Sequence, residues 1–167
     1  MQAAKDSFFM ALQQRLAALN PGRTVVIDGA TVPGIVVREN MEPRFTAAQA
    51  GVFYLDWGEA EMSESERLLG IACEIWYASV GSSATGVDRG RQLAEMDQEL
   101  LSMCAPPHTE MRDYSQVPSV DLGTAVFWSM PQVANVQSEN RNLLKGRAGG
   151  LVRLERKAQL KLYFFMP

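Results

Sequence analysis

Apolar positions along the chain alternate between helical spacing and a spacing of two, and the switches mark its elements. Between residues 4 and 19, Phe8, Leu12, Leu16 and Leu19 recur at helical spacing, and Phe9 widens the stripe. Asp6 and Ser7 are the candidate caps. Asn20-Pro21-Gly22 ends the helix, because proline cannot continue the hydrogen-bond ladder and glycine accepts a left-handed conformation. Thr24 to Ile27 is a β-branched strand, and Asp28-Gly29 is a hairpin turn signal. The expected partner is Thr31-Val32 together with Ile35 to Val37, demoted to an edge or bulged strand by Pro33-Gly34. Residues 38–50 look irregular, Gly51 to Trp57 is a strand, and Gly58 to Glu66 is expected to be a solvated acidic loop.

The longest apolar stretch, Leu69 to Val80, predicts a central strand. Leu69, Ile71, Cys73, Ile75 and Tyr77 lie on one face, and Ala72, Glu74, Trp76 and Ala78 on the other. Both faces are largely apolar, as in a strand covered on both sides. Glu74 then needs a partner, and an arginine of a neighbouring strand or chain is expected. A glycine-rich turn, residues 81–86, leads into a helix over 87–104 opened by Asp88, with Leu93, Met96, Leu100 and Cys104 on one face. Residues 105–119, bracketed by prolines and holding His108, are expected to be a long loop, as are residues 132–150. Between them Asp121 to Met130 predicts a strand. Leu151 to Phe165 alternates most cleanly, with Val152, Leu154, Ala158, Leu160, Leu162 and Phe164 on one side and charged or polar residues on the other. It is longer than most strands, so it is expected to reach beyond its own sheet or to pair with another subunit, with a bulge at Arg156. The order predicts an α+β protein: one domain over 1–167, with a single mixed β-sheet of about five or six strands and two helices packed on it.

Composition narrows the function classes. The net charge of −3 gives no global attraction to nucleic acid or to an anionic membrane. No apolar run is long enough for a membrane span, and the N-terminus lacks the basic region and apolar run of a signal peptide, so a soluble protein made in the cytoplasm is expected. Cys73 and Cys104 sit at apolar positions and are expected to be buried free thiols.

Candidate chemistry is thin. Residues 81–86 stand between a strand and a helix, where a phosphate-binding loop would sit, and Gly81 and Gly86 have Walker spacing. Walker chemistry needs Lys and then Ser or Thr after the second glycine, and Val87-Asp88 stand there instead. His108 is the only histidine, so neither a Gly-x-Ser-x-Gly triad nor a paired-histidine metal site is present, and Cys104 is kept from His108 by Pro106-Pro107. The acidic run lacks the order of a calcium loop. No catalytic residue, no metal ligand and no cofactor is therefore expected. The surface candidates are contact residues: Arg141, Lys145 and Arg147 in the late loop, and Glu59, Glu61, Glu64 and Glu66 in the acidic run. The apolar end, Tyr163 to Pro167, is a further candidate interface.

In length and order the chain resembles the tail terminator (tail completion) proteins of long-tailed bacteriophages, the lambda-type minor tail family. The features that carry this are the helix Phe8 to Leu19, the early hairpin, the strand Glu74-Ile-Trp-Tyr-Ala leading through a Gly/Ser turn into Asp88-Arg-Gly-Arg-Gln-Leu, and the late strand Leu154 to Leu162. The resemblance implies a structural virion protein and no enzyme. It implies a ring of copies, usually six, that sits on the tail tube protein, stops tube polymerisation and presents a surface to the head completion or connector protein. Genomic DNA would pass through the lumen without sequence-specific contact, and the location would be the head-proximal end of the tail. Glu59 to Glu66 of one copy would then meet Arg141, Lys145 and Arg147 of the next. Rival readings are another head–tail connector or baseplate component, a small enzyme holding a phosphoryl ligand at 81–86, and a bacterial binding module with no viral role.

Overall fold

The computed structural model describes residues 1–38, 49–63, 67–82, 90–136 and 151–165. Among these residues are two helices and nine strands: α1 (Gln2–Leu19), β1 (Thr24–Ile27), β2 (Ala30–Pro33), β3 (Ile35–Val37), β4 (Phe53–Ser63), β5 (Leu68–Ser82), α2 (Arg91–Met103), β6 (His108–Asp113), β7 (Val120–Trp128), β8 (Gln132–Asn135) and β9 (Leu151–Phe165). Seven strands form one mixed sheet in the order β3-β4-β5-β9-β7-β6, and β8 also pairs with β9. The β3–β4 pairing is parallel and the others in this sheet are antiparallel. The fold is thus α+β with a single main sheet.

The spine is the β5–β9 ladder, unbroken from Leu68↔Phe165 to Ser82↔Leu151. The fifteen residues of β9 find their partners within the chain, and the bulge expected at Arg156 is absent: Arg156 stands in register opposite Tyr77. Its charge is handled by Asp97 on α2, whose Oδ2 lies 3.2 Å from Arg156 Nε, and by a hydrogen bond to Asn135. Because β5 and β7 both run antiparallel to β9, they point the same way; between them in the chain come α2, on the helix-covered face, and the edge strand β6, which runs antiparallel to β7.

The core lies between that face and the helices. Ile71, Cys73, Ile75 and Tyr77 of β5 meet Ala158, Leu160, Leu162 and Phe164 of β9, and Phe53 and Leu55 of β4 join them. Above lie Ala4, Phe8, Leu12 and Leu16 of α1 and Leu93, Met96, Leu100 and Met103 of α2. Phe8 sits edge-on to Trp128, with ring centroids 5.0 Å apart, and to Trp57 at 6.0 Å. Both cysteines are free and buried in this core. Burial pushes both thiols up, that of Cys104 to about 12, which keeps them unreactive.

Several expectations are corrected. Asp6 and Ser7 do not cap α1, which begins at Gln2. Ser7 lies inside the helix, donating to Ala3 O and accepting from Arg112 N. The early hairpin exists, with Asp28 and Gly29 both at positive φ as its turn demands, but only β1 and β2 form it. After Gly34 the chain leaves the hairpin, and β3 joins the main sheet. The acidic stretch is not a loop through Ser63, because β4 carries residues 58–63 against β5 past a register shift between Trp57 and Ala60. The expected loop 105–119 contains strand β6, whose Met111 faces the core, and the expected loop 132–150 begins with strand β8. The helix expected over 87–104 runs from Arg91 to Met103, with Gly90 at its N-cap, and Asp88 lies outside the described residues. Finally, β5 is not covered evenly on both faces: Ala72, Glu74 and Trp76 remain half-buried.

Candidate interaction surface

The second face of the main sheet is divided. At one end the β1–β2 hairpin covers it: Val25 packs with Val36, Val52 and Tyr54, and Val32 and Trp76 join this small cluster. Beyond the hairpin no described residue covers the face. Strand register lays its side chains out in rows. The first row places Asp56, Glu74, Gln159 and Gln132 side by side. The last full row places Glu61, Gly70, Tyr163, Phe127 and His108 side by side. Past it, Leu68 stands opposite Phe165.

The charged rows neutralise themselves. Lys157 bridges to Glu74 and lies 5.1 Å over the Trp76 ring, and Gln159 donates to Glu74 Oε1 at 2.8 Å. A lysine thus stands where an arginine was expected. Burial pushes the Glu74 carboxyl up, but the hydrogen bonds from Lys157 and Gln159 together outweigh it and leave it below the usual range. Lys161 reaches across Gly70 to Glu61; a Cβ on Gly70 would stand 2.7 Å from Lys161 Cε, so glycine leaves the path open. That hydrogen bond holds the Glu61 carboxyl low and the Lys161 ammonium high. With Lys157 and Lys161 already matched by carboxylates, these rows have little to offer phosphates.

The aromatic end is different. Phe127 is 43 % and Phe165 50 % exposed, and Tyr163 is half-buried between them. The His108 ring lies 6.4 Å from that of Phe127. Val120, Leu122 and Met130, from β7 and the residues after it, are also more than two-fifths exposed. A rigid sheet thus presents aromatic rings to solvent, the residue type enriched where proteins meet.

The borders of the sheet are treated unequally. Helix α1 lies along β6 and meets part of its outward backbone: Arg15 donates to the carbonyl of His108 (3.0 Å), as well as to those of Met103 (3.0 Å) and Pro106 (2.8 Å) just before the strand, and Ser7 takes the Arg112 N–H at 2.9 Å. An open groove of about 700 Å³ runs between this helix and β6, lined by Met10, Gln14, Arg15, His108, Glu110 and Arg112. Its arginines are engaged, Arg15 as described and Arg112 with Ser119 and Glu110.

Of the residues singled out from the sequence, Glu59 and Glu61 lie exposed on β4. Glu61 is held by Lys161 of its own chain. Glu64, Glu66, Arg141, Lys145 and Arg147 lie outside the described residues, as do residues 83–89 of the glycine-rich turn and its sequel. Among the described residues no group of three or more His, Cys, Asp or Glu side chains could hold a metal ion. Among them, too, no helix is long and apolar enough to cross a membrane. Sequence reasoning flagged the apolar end that includes Phe165 but missed Phe127 and His108. Their signal was parity: Phe127 has the phase opposite to Val126 and Trp128, which both face the core. The chain matches no protein-family model, and no curated protein matches it.

Proposed function

We propose that this protein is a structural virion subunit that closes a bacteriophage tail tube as a ring. In this reading the ring stops tube polymerisation, receives the head completion or connector protein on its other side, and lets genomic DNA pass through its lumen. The observation that carries it is the open aromatic end of the sheet, Phe127, Tyr163 and Phe165, set on a stiff ladder and facing solvent. Exposed rings of this kind favour a protein partner, and the self-neutralised charges beside them suit a passage that does not grip DNA. The element order that resembles tail terminators supports the same reading.

The test is assembly on tubes. Purified chain is mixed with polymerising tail tube protein of its own phage and viewed by negative-stain electron microscopy. Rings at one end of each tube and arrested elongation are expected. Tubes that lengthen unchanged, with bare ends at every ratio of the two proteins, would overturn the reading. Phe127→Ala with Phe165→Ala is expected to weaken end capture at least tenfold while the chain stays folded.

A further inference from the structure

Two stretches of the main sheet's border have no neighbour among the described residues. On one side, β3 pairs only with Phe53–Leu55 of β4, so β4 is bare beyond Asp56. On the other side, β8 pairs only with β9. The remaining long border, β6, is covered by α1, which packs along it and bonds His108 through Arg15 and Arg112 through Ser7. An unpaired strand border is a template for another strand.

The alternation of ladder bonds shows which backbone groups are free. Ser129 N donates to Lys161 O, so Lys161 and the residues two apart from it on β9 turn their backbone groups towards β7 and β8. Gln132 and Ala134 are therefore bonded to β9, and Val133 and Asn135 turn their N–H and C=O outward. By the same alternation Gly70 bonds to Glu61, and Ala60 and Met62 turn theirs outward from β4. The two borders thus carry matching rows of donors and acceptors.

Their directions match as well. β4 runs with β9, because both are antiparallel to β5, and β8 runs against β9. Laid side by side, β4 of one copy and β8 of another are antiparallel. We propose that copies of this chain join border to border, the Ala60–Met62 stretch of β4 in one copy pairing with Val133–Asn135 of β8 in the next, so that one sheet continues through the assembly. Charge selects this pairing over β4 with β4. Two β4 borders would set Glu59 and Glu61 against the same carboxylates, and like charges across strands destabilise a pair. The β8 border has no carboxylate in Gln132–Asn135, so it sets no like charge against Glu59 and Glu61.

Such a contact uses two different borders, so it is heterologous and closes into a ring when its rotation closes. The two stretches sit at different levels. Val133 aligns through Ala158 with Ile75, and Ala60 aligns with Ile71, four residues along β5. Neighbours are therefore displaced along the strands by about 13 Å, a stagger that closes when the strands tilt against the ring axis, as in barrels. This deepens the ring reading above and rests on it for closure, not for the pairing itself.

The test uses the full chain with Ala60→Pro or Val133→Pro. Each substitution removes one outward N–H and no ladder bond within the chain. Wild type is expected to oligomerise by analytical ultracentrifugation at millimolar concentration. Each variant alone is expected to be monomeric, and an equal mixture of the two to give a dimer, since one intact contact remains. Wild type that stays monomeric, or variants that assemble as wild type does, would overturn the proposal. Should a proline variant fail to fold, a chain with Ala60→Cys and Val133→Cys is treated with a short bismaleimide. A ladder of covalent oligomers is expected, the native cysteines being buried, and monomer alone would overturn the pairing. Rings on tube ends without the ladder would sink the pairing and leave the tail reading. A ladder without tube capture would do the reverse.

Discussion

The two faces of the main sheet are built from the same strands and meet different fates. The helix face is filled: Phe8, Leu12 and Leu16 of α1 and Met96 and Leu100 of α2 close over β5 and β9, all of them essentially without exposure. Among the described residues the other face is packed only under the β1–β2 hairpin; its remainder holds self-matched charges and then exposed rings. Alternation along a strand sends neighbours to opposite faces, so Val126 and Phe127 or Phe164 and Phe165 are adjacent in sequence and opposite in environment. Apolar character alone therefore does not say which residues hold this protein together. The side of the sheet does.

Truncation of a ring on each side breaks or sharpens this contrast most. Phe8→Ala removes a ring held between Trp57 and Trp128 and leaves a cavity in the core, so a loss of about 3–5 kcal/mol is expected in urea unfolding. Phe127→Ala should change stability by no more than about 0.5 kcal/mol, the usual range for surface sites. Comparable losses at both positions would mean that the open face is packed after all.

Next in size is the closure of the β6 border. Arg15→Ala leaves the carbonyls of Met103, Pro106 and His108 without their donor and removes a guanidinium that lies 5.4 Å over the Trp128 ring. A loss of about 1–3 kcal/mol is expected. Arg15→Lys should rescue only part of it, because a point ammonium cannot reproduce a fork aimed at three carbonyls. Full rescue by lysine would show that charge rather than geometry closes this border.

How much of this was legible in the sequence follows from where pattern and environment agree. α1, β5 and β9 were legible because each is long and keeps one period, so many positions vote together. β6 was not: prolines flank it, and within His108–Asp113 only Met111 is apolar, so its strand character comes from pairing with β7 and from α1 rather than from its own residues. The end of β4 was missed for a related reason. Glu59 and Glu61 mask the alternation of Ala60 and Met62, and a register shift puts that stretch out of phase with Tyr54 and Asp56. Single-strand patterns also cannot show that Glu74 meets Lys157 and Gln159, since that contact depends on a register fixed some eighty residues later. The surface was legible only in part: Glu61 was named from its charge, but Phe127 could not be told from a core residue until the register of β7 gave its side.

Tyr77 tests the link between the sheet and α2. Its buried hydroxyl donates to Asp97 Oδ1 at 2.6 Å, and burial together with that carboxylate pushes the phenol above its ordinary value. Tyr77→Phe keeps the ring against Phe53, with centroids 5.1 Å apart, and leaves Asp97 with Arg156 alone. A loss of about 1–2 kcal/mol is expected, with no change in the cooperativity of unfolding.

The smallest effect belongs to the charged rows of the open face, and it has a sign. The folded carboxyl of Glu74 lies below its ordinary value of 4.5, because Lys157 and Gln159 favour the ionised form more than burial opposes it. A carboxyl lowered on folding contributes stability that is fully present above the unfolded value and is lost as pH falls through the folded one. The contribution should therefore be present at neutral pH and fade below about pH 4.5. The group is partly exposed, so water screens the pair and the gain is about 0–1 kcal/mol. Glu74→Gln should lower stability slightly at pH 7 and flatten the loss between about pH 5 and pH 3, measured as urea midpoints for variant and wild type side by side. Were the variant to lose more on acidification than wild type, Glu74 would be acting against the fold, and the matched charges of the open face would have to be kept for contact with a partner rather than for the stability of the subunit.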